Sequence, residues 1–370
     1  MKTKKNYNKG CVTHRSMPFW CVANPLADPF GGPVMERLDP VEIARLIAEA
    51  AEAGLVEMTA FHDDDLVPWD PKNLEDDLDP KSAACQKLRE IKAILDAAGV
   101  GVNTATCSLH GNPLFRNGGL CNPDPKIRRL AARKVERTLR MGRFLGARHY
   151  VYWVARDGFE VPAATNWAKV YDWLADGLNH VTDYIAEKKM KNYIGASVEP
   201  KPNEPRGQMF LPTSGHAVGF ILGRLDKPDF WGVNPELLQH ESMALMNASM
   251  TVAFLCSLKK LKFLHFGSQI KAQFDNDFPP LVGPEGLKET AFMFKTLQDI
   301  GWKGVVEYDC HMLRAEGTPD DAYESRRQFI RNCTEALDIA LDLAARIQKP
   351  EPGLSATQID LASIRQLCAL

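Results

Sequence analysis

The sequence predicts an α/β protein folded as a closed (β/α)8 TIM barrel, and three observations carry that expectation. Short apolar segments with strand character alternate with longer amphipathic segments along most of the 370 residues. Eight such strand candidates can be read, most followed by helical sequence, which is the count of a closed parallel barrel. No glycine-rich dinucleotide fingerprint follows the first candidate, which argues against an open doubly wound sheet.

The elements follow in order. PFWCVAN (18–24) is the first strand candidate, ending at Asn24, and residues 1–17 before it read as a frayed, basic tail. Asp39 suits an N-cap and Pro40 the first helical position. Ile43, Leu46, Ile47 and Ala50 recur at helical spacing, and Gly54 can close that helix. LVEMTAF (55–61) follows as a strand. Asp79-Pro80 opens a helix closing at Gly99, before VGVNTATC (100–107). Asp124-Pro125 opens another closing at Gly146, before HYVYWV (149–154). YIGASVE (193–199), FWGVNPE (230–236), LKFLHFG (261–267) and GVVEYD (304–309) complete the strands. A last helix runs through 320–347, so the barrel domain is expected over 18–347. The Pro-rich KPEPG after Gln348 begins a short tail, 348–370, a shortened C-terminal extension.

Composition excludes several classes of function. The net charge of −2 gives no electrostatic footprint for nucleic acid or an anionic membrane. No apolar run is long enough to span a bilayer, and the basic N-terminus lacks the apolar stretch of a secretory signal. The nine cysteines are scattered, with no C-x-x-C pair, which predicts reduced thiols in a cytoplasmic protein.

In such barrels chemistry gathers where the strands end. Those ends supply His62, Trp153, Glu199, Lys201, Glu236 and Asp309. A charge ending a buried strand is costly unless paired or bound to metal. Three carboxylates, a lysine and a histidine at one barrel mouth are poorly explained by ion pairing alone. Hard divalent cations require oxygen ligands, which Glu199, Glu236 and Asp309 offer. His240 lies close beyond Glu236, and Asp275 and Asp277 in FDND follow the seventh strand. Several carboxylates with one imidazole fit Mg2+, Mn2+ or Co2+ better than a thiolate zinc site. His62 opens FHDDDL, where Asp65 can orient its ring for proton transfer to a substrate oxygen. Lys201, two residues after Glu199, shares its side of an extended chain and can polarise a substrate oxygen.

These residues carry a resemblance. FHDDDLVPWD (61–70) and VEPKPNEPRG (198–207) resemble the two signature motifs of the xylose isomerases. DPFGGP (28–33), HYVYWVARDG (149–158), LPTSGHAVGFI (211–221) and WGVNPE (231–236) are similar to the actinobacterial-type group, and the likeness spans roughly residues 18–340. It implies an aldose–ketose isomerase acting on D-xylose, with D-glucose as a second sugar, by a metal-assisted 1,2-hydride shift. It implies two divalent metals. Glu199, Glu236 and Asp309 would serve the first, with Glu236 bridging, and His240, Asp275 and Asp277 the second. It makes His62, oriented by Asp65, the group that assists ring opening. Lys201 becomes a substrate ligand and Trp153 an apolar wall, with Phe30 reaching in from a neighbouring subunit of a homodimer or homotetramer. Trp20 and His110 complete the expected substrate contacts.

The departures from the family pattern are specific. Three residues, LLQ, separate Glu236 from His240 where the family has two. Gly267 stands where a first-site aspartate is expected, so Gly267→Asp should tighten that metal unless the glycine serves the backbone. The following loop is short, and His110 replaces a pocket aromatic. Three readings compete with a xylose isomerase: a barrel sugar isomerase or epimerase of other specificity, a catalytically weak sugar-binding paralogue, and a metal-dependent phosphodiesterase. The last is disfavoured by the lack of a basic patch.

Overall fold

The computed structural model describes residues 7–23, 35–72, 81–281, 286–313, 321–348 and 351–368. Eight parallel strands form one sheet: β1 (Val12–Ser16), β2 (Met58–His62), β3 (Gly101–Thr106), β4 (His149–Trp153), β6 (Gly195–Glu199), β8 (Trp231–Val233), β9 (Leu264–Phe266) and β10 (Gly304–Tyr308). β1 pairs with both β2 and β10, so the first and last strands meet inside the sheet. Parallel bridges from Val233 to Leu261 and from Glu236 to His265 join β8 to β9 and close the barrel. A two-stranded antiparallel ribbon, β5 (Gly158–Phe159) with β7 (Gln208–Met209), lies outside it.

Seven of the eight expected strands lie where the sequence placed them; the first does not. PFWCVAN turns into the short helix α1 (Phe19–Ala23), and the strand is VTHRS, inside the segment expected to be a tail. The barrel therefore begins before residue 18. VTHRS reads as polar, which hid it, but Arg15 is buried against Glu57, with contacts of 2.6 and 3.2 Å, and also donates to the Gly54 carbonyl. Pairing satisfies the buried guanidinium, so a strand that looks exposed in sequence sits at the sheet centre. Asn24 and Phe30 lie outside the described residues, as do residues 73–80, where Asp79-Pro80 was expected to open a helix.

Helices cover the barrel. α2 (Pro40–Glu52) starts at Asp39, with a complete capping box through Glu42. α4 (Ala83–Ala98) is capped by Ser82, and α5 (Pro125–Leu145) by Asp124, ending at a left-handed Gly146 with φ +83°. α6 (Val170–Glu187), α7 (Ser214–Arg224), the single turn α8 (His240–Met243), α9 (Ala248–Ser257), α10 (Gly286–Ile300) and α11 (Ala322–Arg346) follow. The expected tail holds one more helix, α12 (Ala356–Cys368), whose Leu367 packs with Ala291, Leu343 and Ile347. The single turn α3 (Asp63–Leu66) begins directly at the end of β2. Asp63 there is wholly buried and held by Lys134 at 2.6 Å and Arg137 at 2.8 Å, which anchors the β2 end to α5.

Strand alternation stacks the barrel interior in layers. Met58, Val151, Phe263 and Val305 form an apolar floor. Two residues further along β10 stands Glu307, and two beyond Phe263 stands His265. Another step brings Asp309 and Gly267 to the mouth. The same period carries Val151 to Trp153 on β4. The apolar floor is why polar groups concentrate at one end.

Candidate active-site pocket and metal centre

A cavity of about 360 Å³ opens at the C-terminal ends of the strands. Trp20, His62, Asp65, His110, Trp153, Glu199, Glu236, His240, Asp275, Asp277 and Asp309 all line it. Lys201 adjoins it, donating to Asp275 Oδ2 at 2.6 Å. Its ammonium therefore pairs with Asp275 and not with Glu199; desolvation opposes its charge, but the Asp275 carboxylate outweighs it and raises the pKa. Residues far apart in sequence thus converge on one mouth. Among the expected site residues, only Phe30 lies outside the described structure.

The carboxylates crowd one another. Glu236 is buried, and its Oε1 has no hydrogen-bond partner among the described residues. Burial, reinforced by Asp309, pushes its carboxyl up to about 8 although the His240 charge opposes the rise. Burial also raises Glu199, which accepts from the Asn234 side-chain amide at 3.0 Å. Asp277 is raised well above the usual range by burial and then by the Asp275 charge. Asp309 goes the other way, to about 2: burial opposes its ionisation, but the facing His265 outweighs it. His240 Nδ1 sits 2.7 Å from Glu236 Oε2, and its Nε2 lies 3.2 Å from Asp275 Oδ2. Carboxylates crowded this closely are the condition a bound cation relieves.

Among the described residues, two groups have ligand atoms all within 4.8 Å of one another: Glu199 with Glu236 and His240, and Glu199 with His265 and Asp309. These donors, oxygen-rich with imidazole, suit divalent cations of the Mg2+, Mn2+ or Co2+ kind.

Opposite the carboxylates lies an aromatic wall. His62 Nδ1 is 3.3 Å from Asp65 Oδ2, and the same oxygen accepts from the His62 backbone N–H at 2.8 Å. Desolvation disfavours charge on His62, but Asp65 overcomes it and raises the pKa. The Trp20 ring stands 4.5 Å from His62, and its indole N–H donates to Asp309 Oδ1 at 2.7 Å. His110 packs edge-on against Trp153 at 4.8 Å and lies 5.8 Å from His62. Burial and then the His62 charge push its imidazole down to about 3, so it is neutral.

Sequence reasoning missed four buried side chains here: Asn234, Gln239, His265 and Glu307. Strand alternation through 263–267 and 305–309 was the signal for His265 and Glu307. Gln239 is the third residue of the LLQ segment, and nothing in the sequence marks where its amide goes. That amide donates to Asp277 Oδ1 at 3.0 Å and to the Asp309 carbonyl at 2.8 Å. It also corrects the expectation for Gly267→Asp. A Cβ at 267 would stand 2.5 Å from Gln239 Oε1 and 2.6 Å from the Asp309 backbone oxygen. The glycine is there because two neighbours approach too closely for any side chain.

The xylose isomerase-like TIM barrel family model matches residues 47–333. A xylose isomerase of Thermus thermophilus is 38% identical over 297 residues, 80% of this chain and 72% of that protein. One from Thermus caldophilus is 37% identical over the same shares. Among solved structures, an L-ribulose 3-epimerase superposes with a TM-score of 0.61 at 14% identity, over 90% of this chain and 96% of that one. A D-psicose 3-epimerase of Clostridium cellulolyticum H10 reaches 0.60 at 12% identity, over 90% and 99%. At such identities the two epimerases share the fold.

Proposed function

The chain belongs to the xylose isomerase-like TIM-barrel family and is an isomerase, and on that premise we propose that it interconverts D-xylose and D-xylulose, with D-glucose and D-fructose as a second pair. We place the reaction at two divalent ions, Mg2+, Mn2+ or Co2+. The observation that carries this reading is Glu236: buried at the centre of the carboxylate cluster, with Oε2 against His240 and Oε1 lacking a hydrogen-bond partner among the described residues. We read this cluster as a dinuclear centre, supported by two close groups of potential ligand atoms that share Glu199. Glu199, Glu236 and Asp309 would hold one ion, and Glu236, His240, Asp275 and Asp277 the other. When bound, the ions supply Lewis-acid polarisation of the sugar oxygens.

The chain's own groups do the rest. His62, its Nδ1 held by Asp65, turns Nε2 to the sugar and transfers a proton at the ring oxygen during opening. Lys201 remains an ammonium and donates from Nζ to a substrate oxygen near the reacting carbons. Trp153 and Trp20 exclude water from the face across which hydrogen passes from C2 to C1 with its electron pair. Phe30 would complete this wall from a neighbouring subunit, in a homodimer or homotetramer of a cytoplasmic enzyme. No described helix is long and apolar enough to cross a membrane.

A second reading, a sugar isomerase or epimerase of different specificity, rests on His110. A neutral imidazole beside Trp153 offers a hydrogen bond where the family resemblance expects an aromatic hydrocarbon surface. Incubating the Mn2+-loaded protein with a panel of aldoses and ketoses in D2O separates the two. Xylose turnover without solvent deuterium at C1 or C2 supports the hydride shift. Turnover of a ketose with deuterium at C3 supports an epimerase, and sugar binding without turnover supports neither.

A further inference from the structure

No side chain fits at position 267, but β9 turns another donor into the barrel two residues earlier. His265 is buried, with Nδ1 2.7 Å from Asp309 Oδ2 and 3.4 Å from Glu199 Oε2. Nδ1 thus faces both carboxylates. Behind the ring, Nε2 faces Glu307 Oε1 at 3.3 Å. Glu307 is wholly buried and accepts from Ser16 Oγ at 2.7 Å, Asn103 Nδ2 at 2.9 Å and Thr104 Oγ1 at 2.8 Å. These three donors fix the Glu307 carboxylate behind the ring. With Nε2 turned to Glu307, Nδ1 lies at the barrel mouth, where it, a Glu199 oxygen and an Asp309 oxygen are all within 4.8 Å of one another. One imidazole nitrogen and two carboxylate oxygens so close together are a donor set that a single divalent cation can share.

Resting on the metal-dependent reading above, we propose that His265 Nδ1 is a ligand of the first metal, in place of the carboxylate missing at 267. Glu307 is its positioning residue, giving a carboxylate–histidine–metal chain. A first site with an imidazole among its ligands takes Co2+ or Mn2+ in preference to Mg2+.

The test uses chelator-stripped protein titrated calorimetrically with Co2+ and with Mg2+, each metal alone. His265→Gln should weaken first-site Co2+ binding at least about tenfold, and Mg2+ binding less. Glu307→Gln, a shape-preserving change, should weaken Co2+ binding about tenfold through the ring it orients. Pulsed EPR of bound Mn2+ gives an independent readout. In His240→Gln a coupling to an imidazole nitrogen should persist, and it should vanish in His240→Gln/His265→Gln. A His265 acting only as an internal cation among the carboxylates predicts the opposite sign. Its removal would then raise metal affinity, and that result, an unchanged affinity, or no nitrogen coupling in His240→Gln overturns the proposal. Should His265→Gln fail to fold, Glu307→Gln and the His240→Gln spectrum still decide it. No metal binding by the unaltered protein would refute the proposed function as well, whereas binding without imidazole coupling refutes this inference alone.

Discussion

Introducing a side chain at Gly267 tests whether the metal centre is shaped by packing or by missing charge. A Cβ there meets Gln239 Oε1 at 2.5 Å and the Asp309 carbonyl oxygen at 2.6 Å. Gln239 could swing aside only by giving up its bonds to Asp277 and to that same carbonyl. The Asp309 oxygen is backbone at the end of β10 and moves only with the strand. Overpacking of this kind costs about 1–3 kcal/mol. At about 2–4 °C per kcal/mol for a large domain, the melting temperature should fall by about 2–12 °C. Gly267→Ala carries the steric term alone, and Gly267→Asp adds a charge to the carboxylate cluster. Thermal unfolding of chelator-treated protein should therefore show both variants destabilised, the aspartate more so. Gly267→Asp should also fail to tighten the first metal, because the shift it forces displaces Asp309. Alanine as stable as glycine, or tighter metal binding by the aspartate variant, would refute the packing argument.

Other predictions follow from the same geometry. Chelation should abolish isomerase activity and lower thermal stability, since an ion at a hundredfold its Kd contributes about 2.7 kcal/mol per site; activity retained in excess chelator would rule out a metal mechanism. His62→Asn should slow turnover of the cyclic sugar by roughly 10²-fold at unchanged metal content, measured by steady-state kinetics beside metal analysis. An unaltered rate would make His62 structural. His110, neutral down to about 3, stays unprotonated in the folded protein while the unfolded chain takes up a proton below about 6.5. Stability should consequently fall as pH drops through that window, and His110→Phe should flatten the slope. Denaturant midpoints of parent and variant, measured at about pH 7 and about pH 5, check the sign; parallel slopes would contradict it.

Periodicity, caps and strand ends were enough to read a (β/α)8 barrel and most of its mouth. Amphipathic spacing and turn chemistry are local, so Asp39, Asp124 and Gly146 mark helix ends in sequence as they do in space. Carboxylates at strand ends are legible because closure of a parallel barrel brings every such end to one place, as it does for Glu199, Glu236 and Asp309. The first strand was not legible. VTHRS becomes central only because Glu57, forty-two residues away, neutralises Arg15, and no local pattern announces that pairing. The same limit applies at the metal centre. A glycine at 267 reads as a lost ligand until tertiary structure shows Gln239 and the Asp309 carbonyl filling its space. His265 reads as one more residue of a strand until closure sets its ring between Glu307 and two carboxylates. Residue type and period are properties of the chain, but which buried charges face one another depends on how the strands close.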